Sequence, residues 1–172
     1  LNRGAARRDR GDLEDAIRDC TEAIHLDPNS AKAFNNRGFA RYSKGDPEGA
    51  IKDCNVAIRL NPEYSNPFNN RGVARQSTGD LSGAIEDFSE ALRLDPGSAV
   101  AFYNRGVVHQ RRRDLKKAIM DYTEAIRLNP LFTDAFNNRG LARRARLDWG
   151  GAKQDFERAE RLRAAAAQAG GL

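Results

Sequence analysis

AKAFNNRGFARYSKGDPEGAIKDCNVAIRLNPEY, residues 31–64, is the stretch whose reading decides the fold. Phe34, Gly38 and Ala40 sit at helical spacings and are followed by Gly45 and Asp46. Ala50, Ile51, Cys54, Ala57 and Ile58 then recur at i, i+1, i+4, i+7 and i+8, which predicts a helix with one apolar stripe. Gly45 suits the left-handed position after the first helix. Asp46 is an N-cap for the second, and Pro47 fits its first turn. Pro62 blocks its continuation. The stretch therefore predicts a helical hairpin, which cannot bury its apolar stripe without a stacked neighbour.

Those neighbours stand in the same chain. An Asn-Arg-Gly triplet starts at Asn2, Asn36, Asn70, Asn104 and Asn138, always 34 residues apart. Pro28, Pro62, Pro96 and Pro130 keep that period, as do Ala16, Ala50, Ala84, Ala118 and Ala152. A second alanine row, Ala23, Ala57, Ala91, Ala125 and Ala159, keeps it as well. The repeat length, these Gly and Ala positions, the aromatics Phe34, Phe68, Phe102 and Phe136, and the closing Pro together resemble the tetratricopeptide repeat. The resemblance covers nearly the whole chain. It implies an all-α, right-handed superhelical solenoid of antiparallel helix pairs, A and B, with helix A lining a concave groove that usually binds another protein.

The expected organisation is an array over residues 1–163, with repeats at about 1–30, 31–64, 65–98, 99–132 and 133–163. Leu1 falls at the fifth position of its repeat, which reads as a piece cut from a longer protein, the alternative being a short complete one. Ala164 stands where other repeats have Pro, so residues 164–172 are expected as an Ala-rich helical extension capping the last hairpin, ending at Gly170 and Gly171.

Composition narrows the function classes. The 172 residues include 29 Lys and Arg, 24 Asp and Glu, two His and two Cys, for a net charge of +5. No stretch approaches the ~18 consecutive apolar residues of a membrane span, so no membrane is expected among the partners. Two thiols are too few for a disulfide scaffold or a Cys-rich zinc site. Cys20 and Cys54 occupy the position that holds Phe88, Tyr122 and Phe156 in later repeats, which marks them as residues that fill the core. Successive helices about 8–10 Å apart do not allow the Cα approach of about 7 Å that a bridge needs. The thiols leave the compartment open, with a cytoplasmic setting favoured. His25 and His109 read as surface or packing residues. No nucleophile–base pair, phosphate loop or metal spacing is visible, so neither enzyme activity nor a cofactor is expected.

Some periodic residues read as structure. The triplet Gly residues suit close packing against the alanine row. The triplet Arg occupies a position where the family usually has Leu, and an Asp follows sixteen residues later in every repeat. The pairs would be Arg3 with Asp19, Arg37 with Asp53, Arg71 with Asp87, Arg105 with Asp121 and Arg139 with Asp155. A guanidinium is costly to desolvate without a partner, and Asp offers a bidentate one. An Arg–Asp ladder joining the two helices of each hairpin is expected. The alternative is that these Arg face the groove and bind acidic ligands.

Other rows read as function. Asn36, Asn70, Asn104 and Asn138 follow Asn35, Asn69, Tyr103 and Asn137. A carboxamide carries an acceptor and two donors and can match the C=O and N–H of an extended peptide. Three residues of extended chain span about 10 Å, close to the helix spacing, so one Asn per repeat can clamp every third residue. The row resembles the asparagine ladder of the O-linked N-acetylglucosamine transferase repeats; the alternative is an Asn that only bonds locally. Phe39, Val73, Val107 and Leu141 form an apolar row beside it, and Tyr42, Gln76, Gln110 and Arg144 another row one turn on. The chaperone carboxylate clamp is not matched, because Asn35, Asn69, Tyr103 and Asn137 stand where it needs Lys and the following row is apolar.

Charge is uneven. Residues 1–98 hold 14 basic and 16 acidic side chains, and residues 99–172 hold 15 and 8. The excess gathers at Arg111, Arg112, Arg113, Lys116 and Lys117 and at Arg143, Arg144 and Arg146. Arg113 and Leu147 replace the turn Gly, so these turns are expected to be reshaped or strained. The basic edge reads as a solvated face, a contact for an acidic partner, or less readily a nucleic-acid surface, since little aromatic interleaving accompanies it. The expected function is a non-enzymatic scaffold binding an extended or helical peptide of a partner protein in its groove. A substrate-recruiting segment of a larger enzyme is the first alternative, and self-association through the solenoid ends is a further expectation.

Overall fold

The structure, a computed structural model, describes residues 13–169. The first triplet (Asn2, Arg3, Gly4), the Arg3–Asp19 pair, the N-terminal contact face and the Gly170–Gly171 end lie outside the described residues. The described chain is all-α, with helices packed as sequential antiparallel pairs. It divides into two compact units, one ending at Pro96 and one beginning at Gly97.

The first unit holds α1 (Leu13–Leu26), α2 (Ala31–Ser43), α3 (Pro47–Leu60), α4 (Ser65–Thr78) and α5 (Leu81–Leu94). α2 pairs with α3 and α4 with α5, while α3 also packs on α4 and α2 touches α4. The second unit holds α6 (Ala99–Arg111), α7 (Leu115–Leu128), α8 (Thr133–Ala145) and α9 (Trp149–Ala169), with α6 against α7, α8 against α9, and α8 lying on both α7 and α6. The A helices are thus α2, α4, α6 and α8. Helix α9 is 21 residues long, against 14 for each of the other B helices.

Helices α3, α5, α7 and α9 each begin at an Asp whose carboxylate accepts the N–H three residues on. Asp46 takes Gly49 N–H at 2.8 Å, Asp80 takes Gly83 at 2.9 Å, Asp114 takes Lys117 at 3.2 Å and Asp148 takes Gly151 at 2.9 Å. Both alanine rows are buried along the described B helices, apart from half-buried Ala23. In the second unit Ala118, Tyr122 and Ala142 form a core cluster flanked by Tyr103, Val107, Leu115 and Ile119.

The helical glycines lie close to their own B helix, Gly38 against Ala50 of the alanine row and the later ones against a ring. A Cβ on Gly72 would lie 2.8 Å from the Phe88 ring, and one on Gly106 would lie 2.8 Å from the Tyr122 ring. A Cβ on Gly140 would lie 2.7 Å from Phe156, whereas one on Gly38 would meet the Ala50 carbonyl oxygen at 3.2 Å and Asp53 Cβ and Cys54 Sγ at 3.3 Å each. The flat ring sixteen residues on lies against the bare glycine, and a small residue there lets A and B helices close around it. Cys20 and Cys54 are buried thiols, and burial pushes the Cys54 pKa up to about 12.

Candidate functional site

Arg37 and Arg41, one turn apart on α2, point at the same carboxylate on α3. Arg37 donates from Nε (2.9 Å) and Nη2 (2.7 Å) to the two oxygens of Asp53, and Arg41 Nη1 adds a third bond at 2.8 Å. Asp53 is only 3 % exposed. Arg71 and Arg75 surround buried Asp87 in the same way, at 2.6 and 2.9 Å. Arg139 and Arg143 surround Asp155, at 2.7 and 3.0 Å. The third guanidinium nitrogen reaches sixteen residues backwards, to the preceding B helix: Arg37 to Thr21 (3.3 Å), Arg71 to Asn55 (2.6 Å) and Arg139 to Thr123 (3.1 Å). Each of these Arg therefore ties its own hairpin together and tethers it to the one before. A phenyl ring one turn earlier covers each guanidinium, at 5.4–5.7 Å for Phe34, Phe68, Phe102 and Phe136.

The second Arg of these clusters was legible as a 34-residue row, Arg41, Arg75 and Arg143, and so was the Phe three residues before each triplet Arg. One rung departs from the pattern. Arg105 grips Asp121 at 3.0 and 2.8 Å, but His109 stands where the second Arg should be, with Nε2 3.9 Å from Asp121. Burial lowers the His109 pKa below its ordinary 6.5, and the Asp121 charge opposes that only in part. His109 is thus a buried, largely neutral substitute for a guanidinium, not a surface residue.

The stripe read from the sequence as the groove runs along the other side of each A helix at i, i+4 and i+7. It comprises Asn35, Phe39 and Tyr42 on α2; Asn69, Val73 and Gln76 on α4; Tyr103, Val107 and Gln110 on α6; and Asn137, Leu141 and Arg144 on α8. Asn36, Asn70, Asn104 and Asn138 border it and are half-buried. The structure corrects one member. Asn35 is 5 % exposed and engaged internally, donating to Tyr64 Oη at 3.3 Å and accepting from Asn70 Nδ2 at 2.9 Å. In the second unit the equivalent bond runs from Asn138 Nδ2 to Tyr103 Oη at 3.0 Å, with Tyr103 packed on Phe132 at 4.8 Å between ring centres. Spacing within a repeat did not reveal these bonds, because they join residues 35 apart on neighbouring A helices.

In the second unit the stripe opens into a cleft of about 430 Å³ lined by Val107, Gln110, Arg111, Arg113, Tyr122 and Asn138. Tyr122 donates to Gln110 Oε1 at 2.8 Å. Burial holds the phenol pKa far above its ordinary value, so the hydroxyl stays a donor. With Oε1 engaged, the NH2 group of Gln110 is its remaining donor. Among the described residues no cluster of His, Cys, Asp and Glu is arranged to hold a metal, and no helix is long and apolar enough to cross a membrane.

Comparison with known proteins agrees with this architecture. The TPR repeat pattern matches residues 4–45 and 75–112, and the tetratricopeptide repeat patterns match 31–64 and 99–132. The chain belongs to the tetratricopeptide repeat family. No curated protein matches it by sequence. Among solved structures it is similar to MamA, with a TM-score of 0.84 and 25 % identity over 98 % of both chains. It is also similar to PilF of Pseudomonas aeruginosa, at TM-score 0.86 and 20 % identity over 92 % of this chain and 72 % of that one. YrrB, a TPR protein with an unusual peptide-binding site, aligns at TM-score 0.73 and 20 % identity over 100 % of this chain and 90 % of its own. At 20 % identity the last two likenesses show the fold alone. Family and fold make the chain a TPR scaffold of the kind that typically mediates protein–protein interaction.

Proposed function

We propose that this chain is a non-enzymatic interaction module that holds an extended peptide of a partner protein along its A-helix faces. We read the repeats as an Asn-Arg-Gly variety of the family, in which the Arg serves the hairpin and the second Asn serves the ligand. One observation carries the reading. Asn70 and Asn138 each bind the preceding A helix through Nδ2, which orients the carboxamide and leaves Oδ1 and a second N–H for another chain. Beside them stand Phe39, Val73, Val107 and Leu141, an apolar row suited to side chains of the same peptide. The triplet Arg are folded into the hairpins, which leaves these faces amide-rich and apolar rather than uniformly cationic.

The test is selection of random 12-residue peptides on the full chain, followed by affinity measurement on variants. Val73→Gln and Leu141→Gln should weaken selected peptides about tenfold with an unchanged melting temperature. Met120→Gln and Lys52→Gln, at exposed positions on B helices, should leave them unchanged. Peptides that ignore the first pair and respond to the second would place binding elsewhere and sink the reading.

A further inference from the structure

We propose that the cleft of the second unit selects an acidic side chain within the bound peptide, and that Arg113 is its specificity residue. The inference rests on the peptide-binding reading above and names the chemistry of its ligand.

The lining divides into layers. Val107 forms the apolar base, Gln110 and Asn138 supply amide donors and an acceptor, the fully buried Tyr122 holds Gln110 from behind, and the exposed Arg111 and Arg113 form the rim. Carboxylates near the rim are already engaged. Asp114 caps α7 and pairs with Lys117 at 3.3 Å, and Asp121 lies buried under Arg105. The Arg113 guanidinium forms no ion pair among the described residues. An apolar base beneath donors and a cationic rim fits a short side chain ending in a carboxylate.

Arg113 itself is out of place by local rules. Its φ is +63°, at the position that Gly45 and Gly79 occupy in the first unit with φ +90°. An L side chain in that region is disfavoured, and a site that keeps one at the mouth of a cleft invites a functional explanation. The first unit has Ser43 and Gly45, or Ser77 and Gly79, where the second has Arg111 and Arg113. Its counterparts thus lack the cation, and the acid preference should belong to the second unit. The charge balance points the same way: the residues from Gly97 onward carry 15 basic and 8 acidic side chains, and those up to Pro96 carry 14 and 16.

Arg113→Gly removes the guanidinium while giving the backbone the residue its conformation prefers, so the fold should be retained. Arg113→Asn, which also tolerates the left-handed region, is the second variant. Peptides selected on the full chain should share an Asp or Glu beside an apolar residue. Both variants should weaken such a peptide about 10- to 100-fold. Its Asn or Gln analogue should bind wild type and variants alike. An acid preference that persists fully in both variants would overturn the assignment. If peptides bind the A-helix faces without acid preference, the inference fails while the peptide-binding reading stands. A single-stranded oligothymidylate that displaces the peptide, with affinity falling steeply with salt and lost in Arg113→Gly, would make the rim a phosphate site and overturn the proposal as well.

Discussion

The turns between A and B helices are closed by the same hydrogen bonds in both units, although the residues at their tips differ. In the first unit Gly45 N–H donates to Tyr42 and Asp46 N–H to Arg41, both at 2.9 Å. In the second, Arg113 donates to Gln110 at 3.0 Å and Asp114 to His109 at 2.9 Å, and Leu147 and Asp148 repeat the pattern at 3.0 Å each. The tip has φ +90° when it is Gly and +63° or +64° when it is Arg or Leu. The expected reshaping therefore does not occur: the paired bonds that end a helix set the backbone, and the side chain only sets the strain. The inter-repeat contacts show the same rule. Asn35, Tyr64 and Asn70 form a polar triad in the first unit, and Tyr103, Phe132 and Asn138 replace it with two tilted rings in contact and one hydrogen bond in the second.

The largest contrast should come from the buried carboxylates. Asp87→Ala leaves two guanidiniums without their shared partner and should cost about 3–5 kcal/mol in urea unfolding. Asp121→Ala strands one guanidinium beside a neutral imidazole and should cost about 1.5–3 kcal/mol. Equal losses would mean that His109 serves as well as an Arg.

The glycine rows come next. Gly106→Ala drives a methyl group into the Tyr122 ring and should destabilise by about 1–3 kcal/mol. At Gly38 the neighbours are 3.2–3.3 Å away, and the helix-propensity gain of about 1 kcal/mol should nearly cancel the crowding. Similar melting temperatures for the two variants would show that ring stacking does not set the row.

Exchanging the turn tips should have a smaller effect of opposite sign in the two units. Leu147→Gly should raise stability by about 0.5–1 kcal/mol, because left-handed strain costs more than the added backbone entropy of Gly. Gly79→Ala should lower it by about 1 kcal/mol. A loss of stability in Leu147→Gly would mean that the exposed leucine makes an unrecognised contact.

The smallest effect is the pH response of the His109 rung. Its folded pKa lies below the ordinary 6.5, so the unfolded chain takes up a proton first as the acidity rises. Stability should be unaffected above that value and fall as the pH drops through and below it. His109→Gln should flatten the response, and His109→Arg should remove it while adding a second guanidinium to Asp121. Parallel pH–stability curves for wild type and His109→Gln would refute this assignment.

What the sequence determined by itself was the period and everything that repeats with it: the hairpins, the capping Asp, the alanine rows and the pairing of each described triplet Arg with the Asp sixteen residues on. These are local or follow from two helices of fixed length joined by a short turn, so spacing alone places them. Tertiary structure decided what spacing within one repeat cannot express. It placed the rings of Phe88, Tyr122 and Phe156 against the glycines, turned Asn35 inward to meet Asn70, reached back from Arg37, Arg71 and Arg139 to the preceding B helix, and gathered Gln110, Tyr122 and Asn138 around one cleft beside Arg113. These contacts join neighbouring helices through side-chain direction and burial, and both depend on how closely the helices pack.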